Sequence, residues 1–153
     1  MKTAFMFAGQ GAQYVGMGLD LIKQYPQLQS YIDKASKCLD IDVQALFLDA
    51  SAYKKTYETQ LMMVVTQVMY VELLKEKNVF PDVVLGFSLG DMTAHYAAGM
   101  ISYETLLTLT AARAKAMQQA CDAVPGTMAA VVKLPSQMIV DICKTYATAN
   151  AYM

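Results

Sequence analysis

Between residues 83 and 98 the sequence changes character twice within a few positions. Val83-Val84-Leu85 is apolar throughout, the composition expected of a strand buried on both faces in a parallel sheet. Gly86-Phe87-Ser88-Leu89-Gly90 follows without a spacer. Small and apolar residues then run on to Ala98 as a helix that Gly99 can end. A strand that becomes a helix over five residues needs glycine on both sides of the turn, so that the two backbones can approach. The G-x-S-x-G spacing puts Ser88 in a strained conformation at the helix N-terminus. Its hydroxyl then projects into a cleft, and the Leu89 amide points where an oxyanion would form. On this pattern Ser88 is either a nucleophile or a serine capping the helix at an ordinary strand-to-helix turn.

The rest of the chain supports the same kind of layering. Residues 3–8 read as a buried strand ended by Gly9-Gln10-Gly11, and residues 16–24 as a helix stopped near Pro26. Leu28, Ile32, Ala35 and Leu39 share one face of a helix over 28–39. Asp42 is suited to cap a short helix through Phe47. Residues 49–58 are polar and read as a loop, and the apolar run beginning at Thr59 reads as a helix to Lys77, buried on most sides. Ser102 opens a helix to about Ala120. A turn over 122–126, a strand over 127–132 and a helix from Pro135 to about Ala147 complete the series. Strands alternating with helices specify an α/β fold. The last strand cannot satisfy its own backbone groups alone. Residues 126–153 are therefore expected to open a second subdomain that this chain does not complete.

Composition narrows the function. Apolar residues make up 56% of the chain and charged residues only 16%, which excludes intrinsic disorder. Twelve basic and thirteen acidic residues leave a net charge of -1, so there is no basic field for nucleic acid. Cys38, Cys121 and Cys143 are odd in number and form no CxxC. They read as small core residues of a reducing compartment rather than a disulfide framework or metal site. The N-terminal apolar run is too short for a signal peptide. The segment from Leu61 to Leu74 is interrupted by Thr66, Gln67 and Glu72, and it falls short of the roughly 20 residues a membrane span needs. A cytoplasmic protein is expected.

A serine nucleophile needs a base. The only histidine, His95, lies seven residues beyond Ser88 on the same helix, about two turns or roughly 10 Å away. It is out of hydrogen-bond reach, and its alanine and tyrosine neighbours suggest a packed position. Asp91 reads as an acidic residue favourable to the helix N-terminus. Arg113 is the only arginine and sits in an uncharged helical stretch, Leu109 to Ala114. It needs an anionic partner or a route to water. A ligand carboxylate, a structural ion pair and a snorkelling surface arginine all fit.

Five motifs, taken together, resemble the malonyl-CoA:acyl-carrier-protein transacylase family. Phe7-Ala8-Gly9-Gln10-Gly11-Ala12-Gln13 is similar to the family's opening. Thr59-Gln60 is similar to its T-Q-P segment, and Gly86-Phe87-Ser88-Leu89-Gly90-Asp91 to its G-H-S-L-G-E motif. Arg113-Ala114-Lys115-Ala116-Met117 is similar to its R-G-x-x-M stretch, and Gly126-Thr127-Met128-Ala129-Ala130-Val131 to its G-x-M-A-A-V strand. The order is the family's own, and the motifs cover nearly the whole chain.

The resemblance implies a three-layer parallel-sheet core like that of α/β-hydrolases, with residues 1–125 as the N-terminal part of the large acyltransferase subdomain. Residues 126–153 would begin the small ferredoxin-like subdomain. It implies that Ser88 carries the acyl group as an ester, that Gln10 and Leu89 supply oxyanion-hole amides, and that Arg113 pairs with the malonyl carboxylate. Gln60 and Phe87 would line the pocket. No metal and no permanently bound cofactor are implied. Malonyl-CoA, a coenzyme A thioester, would be the substrate and acyl carrier protein the partner.

Polyketide and malonate-decarboxylase acyltransferases share these motifs, and a non-catalytic carrier-protein binder of the same descent is the alternative of a different class. Phe87 stands where the family usually has histidine, Asp91 where it has glutamate, Leu61 and Ala8 where it has proline. Members of the family are about twice as long and carry their general-base histidine beyond the last residue here. The chain alone is therefore expected to react feebly and to expose apolar surface that promotes self-association.

Overall fold

A computed structural model describes residues 2–124 and 131–146. The chain divides into two compact units, residues 1–123 and 124–153. In the first, strand β1 (Ala4–Phe7) leads through a glycine-rich loop to helices α1 (Leu19–Gln24), α2 (Gln29–Leu39) and α3 (Val43–Leu48). The long helix α4 (Thr56–Glu76) follows, then strand β2 (Val83–Gly86), helix α5 (Leu89–Ala97) and helix α6 (Tyr103–Ala123). Short 3-10 turns at Pro26–Leu28 and Ala52–Lys54 join the smaller helices.

The α/β class and the parallel pairing are as expected. β1 and β2 run parallel, with Ala4 opposite Val83 and Phe7 opposite Gly86. The inner face of the pair, Phe5, Phe7 and Val84, packs on Val71 and Leu74 of α4 and on Ala94 and Ala97 of α5. The outer face differs from the expectation for β2. Val83 and Leu85 are 54% and 43% exposed, and Met6 beside them is 75% exposed. An apolar strand is buried on both faces only when both sides of the sheet are covered. Among the described residues, helices cover one side.

α4 is the centre of the unit. Twelve of its residues are buried, from Thr59 through Leu73, because an all-round apolar helix is stable only when surrounded. Leu28, Ile32 and Ala35 pack in the same core. α4 starts at Thr56, within the expected loop, where Thr59 N–H bonds the Lys55 carbonyl at 3.0 Å. The polar first turn has no apolar period to announce it.

Local signals placed most helix ends well. Asp42 accepts from the Ala45 amide at 2.9 Å, a cap worth about 1 kcal/mol. Ser102 Oγ accepts from the Thr105 amide at 3.1 Å and opens α6. Gly99, at φ +73°, closes α5: its amide bonds the Tyr96 carbonyl, and the Met100 amide bonds His95.

Two further expectations fail. The helix over 16–24 begins only at Leu19, because Gly16 and Gly18 take φ of +84° and +79°, outside the right-handed helical region. The cysteines are not core residues either. Cys38 and Cys121 are exposed and Cys143 is intermediate; each lies in the last turn of its helix, where fewer neighbours are available to cover a side chain.

In the second unit, helix α7 (Ser136–Thr145) follows Pro135, which stands just before the helix rather than in its first turn. Residues 127–130 of the expected strand and Ala147 lie outside the described residues. None of the helices is long and apolar enough among the described residues to cross a membrane.

Candidate active site

The turn between β2 and α5 is built by backbone contacts. The Phe87 amide donates to the Phe7 carbonyl at 3.0 Å and extends the β1–β2 pairing one residue past the strand. The Gly90 amide returns to the Phe87 carbonyl at 2.9 Å, and the Asp91 amide bonds the Ser88 carbonyl at 3.2 Å. Ser88, between them, has φ +53° and ψ -105°, a strained conformation for a residue with a Cβ, costing on the order of 1–3 kcal/mol.

Both flanking glycines are required by space. A Cβ at Gly86 would run into the Gly90 carbonyl and the Asp91 amide, and a Cβ at Gly90 into the Phe7 carbonyl. The expectation that the two glycines let strand and helix approach is met. Leu89 is fully buried and anchors the start of α5, while Ser88 is exposed.

Ser88 does not stand alone. Arg113, from α6, donates through Nη2 to Ser88 Oγ at 3.0 Å and through Nη1 to Gln60 Oε1 at 2.6 Å. Gln60, fully buried in α4, donates through Nε2 to Gln10 Oε1 at 3.1 Å, and the same nitrogen lies 3.3 Å from Met117 Sδ. Four of the six expected site residues thus form one chain of hydrogen bonds: Ser88, Arg113, Gln60 and Gln10. They come from the β2–α5 turn, two helices and the loop after β1. Leu89 joins through its backbone. Neither its amide nor that of Gln10 has a hydrogen-bond acceptor among the described residues. The Gln10 loop touches the serine turn, since a Cβ on Gly9 would lie 2.6 Å from the Phe87 carbonyl oxygen.

Phe87 is at the site but outside the network. It is 75% exposed, and its ring lies beside Gly9. His95 is also outside. Its Nδ1 lies 2.8 Å from the Asp91 carbonyl, in a shallow recess with Val84, Ala94 and Met100. Its side chain is 44% exposed, so the packed position expected for it is not found; the α5 face it occupies turns away from α4.

Arg113 forms no ion pair with a described carboxylate. Its guanidinium is partly buried and holds only neutral oxygens. A planar cation in that state is suited to bind a carboxylate bidentately. The same contact bears on the serine, since a cationic donor on a hydroxyl oxygen favours its deprotonated form.

Sequence reasoning overlooked Gln67 and Thr93. Thr93 Oγ1 donates to Gln67 Oε1 at 2.6 Å, and Gln67 Nε2 donates to the Ala8 carbonyl at 2.8 Å. The signal was present: Gln67 interrupts the apolar run of α4, and a polar side chain there needs a partner.

A family model described as acyl transferase domain matches residues 4–148. The malonyl CoA-acyl carrier protein transacylase of Bacillus subtilis (strain 168) is 33% identical over 140 residues, covering 90% of this chain and 44% of the relative. The crystal structure of the Streptococcus pneumoniae malonyl-CoA:acyl-carrier-protein transacylase is 40% identical with a TM-score of 0.80, covering 98% of this chain and 50% of that one. A chain in the structure of a type II polyketide acyl-carrier protein in complex with its malonyl-transacylase is 30% identical with a TM-score of 0.82, covering 96% and 48%. The chain spans about half the length of the curated relatives it matches. With the match running over nearly all of its residues, the chain belongs to the acyl transferase domain family.

Proposed function

We propose that this chain carries the acyl-accepting serine of a malonyl-CoA:acyl-carrier-protein transacylase. The observation that carries the reading is the double contact of Arg113, with one nitrogen on Ser88 Oγ and the other on Gln60. A cation tied to the reacting hydroxyl selects an acyl group that ends in a carboxylate. Malonyl fits, because its free carboxylate sits one methylene from the thioester carbonyl.

In the proposed reaction Ser88 Oγ attacks the thioester carbonyl of malonyl-CoA and gives up its proton to a base. The amides of Leu89 and Gln10 stabilise the oxyanion. The carbon–sulfur bond then breaks, coenzyme A leaves as a thiol after taking a proton, and malonyl remains as an ester on Ser88. Attack by the phosphopantetheine thiol of acyl carrier protein reverses these steps and frees Ser88. The relative solved with an acyl-carrier protein supports this acceptor. His95 is not assigned as the base, because it lies outside the network. Residues 1–125 would belong to the large subdomain and residues 126–153 to the small one, and the reaction would run in the cytoplasm with no bound metal or cofactor.

The test is the intact mass of the chain after incubation with malonyl-CoA, beside Ser88→Ala. One malonyl adduct, absent from Ser88→Ala, is expected. An adduct that persists in Ser88→Ala, or none on the folded wild type, overturns the reading for this chain.

A further inference from the structure

The loop that carries Gln10 is held from behind by two side chains with no assigned role. Thr93 is fully buried on α5, and its hydroxyl donates to Gln67 Oε1 at 2.6 Å. Gln67 Nε2 donates to the Ala8 carbonyl at 2.8 Å. The amide has one orientation: a carbonyl only accepts, so nitrogen must face Ala8, and oxygen is left for the Thr93 hydroxyl.

The Ala8 carbonyl shares a rigid peptide unit with the Gly9 amide. The next unit joins the Gly9 carbonyl to the amide of Gln10. Only the torsions of Gly9 separate the two planes. Gly9 cannot acquire a side chain to restrict them, because a Cβ would lie 2.6 Å from the Phe87 carbonyl oxygen and 2.9 Å from the Phe87 ring. Contact with the serine turn therefore demands the residue with the least conformational preference, at the joint that aims the Gln10 amide. The main chain restrains the far plane with one long bond, Ala12 N–H to the Gly9 carbonyl at 3.4 Å. The near plane is restrained by Gln67.

We infer that Gln67, oriented by Thr93, is a positioning residue that aims the Gln10 amide at the acyl oxygen on Ser88. The inference rests on the proposed roles of Ser88 and Gln10 and adds how the second of them is preorganised. An oxyanion donor is effective only when it is already aimed before charge develops.

The test uses the full chain and two reagents. A fluorophosphonate reports the oxyanion site without malonyl chemistry: Ser88 Oγ attacks phosphorus, fluoride leaves, the proton passes to solvent, and the phosphoryl oxygen takes the oxyanion position. Malonyl-CoA reports the proposed function. Gln67→Ala and Gln67→Glu both remove the donor to Ala8, and Thr93→Val removes the hydroxyl that orients it at nearly constant volume. Each is expected to slow the maximal rate of phosphonylation by about 10- to 100-fold, with half-saturating reagent concentration unchanged. Thr93→Ser keeps the hydroxyl and is expected to retain the wild-type rate. Thermal melts accompany every variant.

Wild-type rates in folded Gln67→Ala and Thr93→Val overturn the inference. So does loss of folding in both, which assigns the pair a purely structural role. So does a fall in rate that Thr93→Ser shares. A wild type that is phosphonylated but not malonylated refutes the proposed substrate while leaving the positioning role to be judged on the phosphonate rates. A wild type inert to both reagents overturns the two together.

Discussion

Gly90→Ala should lower stability and slow acylation together. In an unobstructed helical position this substitution stabilises by about 1 kcal/mol through helix propensity alone. In α5 the added methyl would strike main-chain atoms: it would sit 2.6 Å from the Phe7 carbonyl carbon and 2.9 Å from the Ala8 carbonyl oxygen, with the Phe7 carbonyl oxygen nearer still. The carbon alone calls for a shift of about 0.8 Å between α5 and β1 to reach an ordinary 3.4 Å contact, the nearer oxygen calls for more, and close-packed backbone has no rotamer with which to absorb it. Overpacking of this kind costs about 1–3 kcal/mol. With the upper part of that range offset by propensity, a net loss of about 2 kcal/mol is expected. The same shift carries Ser88 away from Arg113 and the Gln10 loop, and a displacement of about 1 Å at a reacting group costs on the order of 100-fold in rate. Urea unfolding followed by circular dichroism gives the first quantity, and the rate of Ser88 phosphonylation gives the second. An unchanged or raised urea midpoint would refute the close-approach argument, because it would show the propensity gain unopposed.

Further outcomes follow from other contacts. Arg113→Ala in a form that transfers malonyl should reduce malonyl transfer by at least about 100-fold more than acetyl transfer, since a charge-assisted bidentate pair is worth about 3 kcal/mol; equal losses would remove the carboxylate role. Ser88→Gly should be more stable than Ser88→Ala by about 1 kcal/mol in urea titration, because glycine tolerates φ +53° and alanine does not; equal stability would mean the turn is unstrained. Burial raises the ionisation of the Tyr96 and Tyr103 hydroxyls above the usual 10.0, and for Tyr96 the Glu72 carboxylate adds to the rise. A raised folded-state value stabilises fully below pH 10 and is lost as pH climbs above it. The urea midpoint should therefore fall from about pH 10 upward, and a midpoint that stays flat to about pH 11 would count against the buried tyrosine cluster.

Much of the local structure was legible in the residues. The Asp42 cap, the Ser102 start and the Gly99 stop are chemistries that act within one helical turn, so they can be read from neighbours. The two glycines around Ser88 announced a strand-to-helix turn for the same reason. The polar first turn of α4 and the left-handed glycines before α1 were missed, because neither leaves a periodic trace. The cysteines were misjudged from residue type, since each falls in the last turn of its helix and none is buried.

The site shows where such reading stops. Composition singled out Arg113 as an isolated cation, yet three kinds of partner remained open to it. Packing α4 against α6 settled that it reaches Gln60 and Ser88, which stand 53 and 25 positions away along the chain. The role of Gln67 was hidden for the same reason, since its partners Ala8 and Thr93 lie 59 and 26 positions off. Hydrogen bonds extend about 3 Å and depend on direction. A sequence states which groups must find partners, and the packing of helices on the β1–β2 pair decides which partners come within that range.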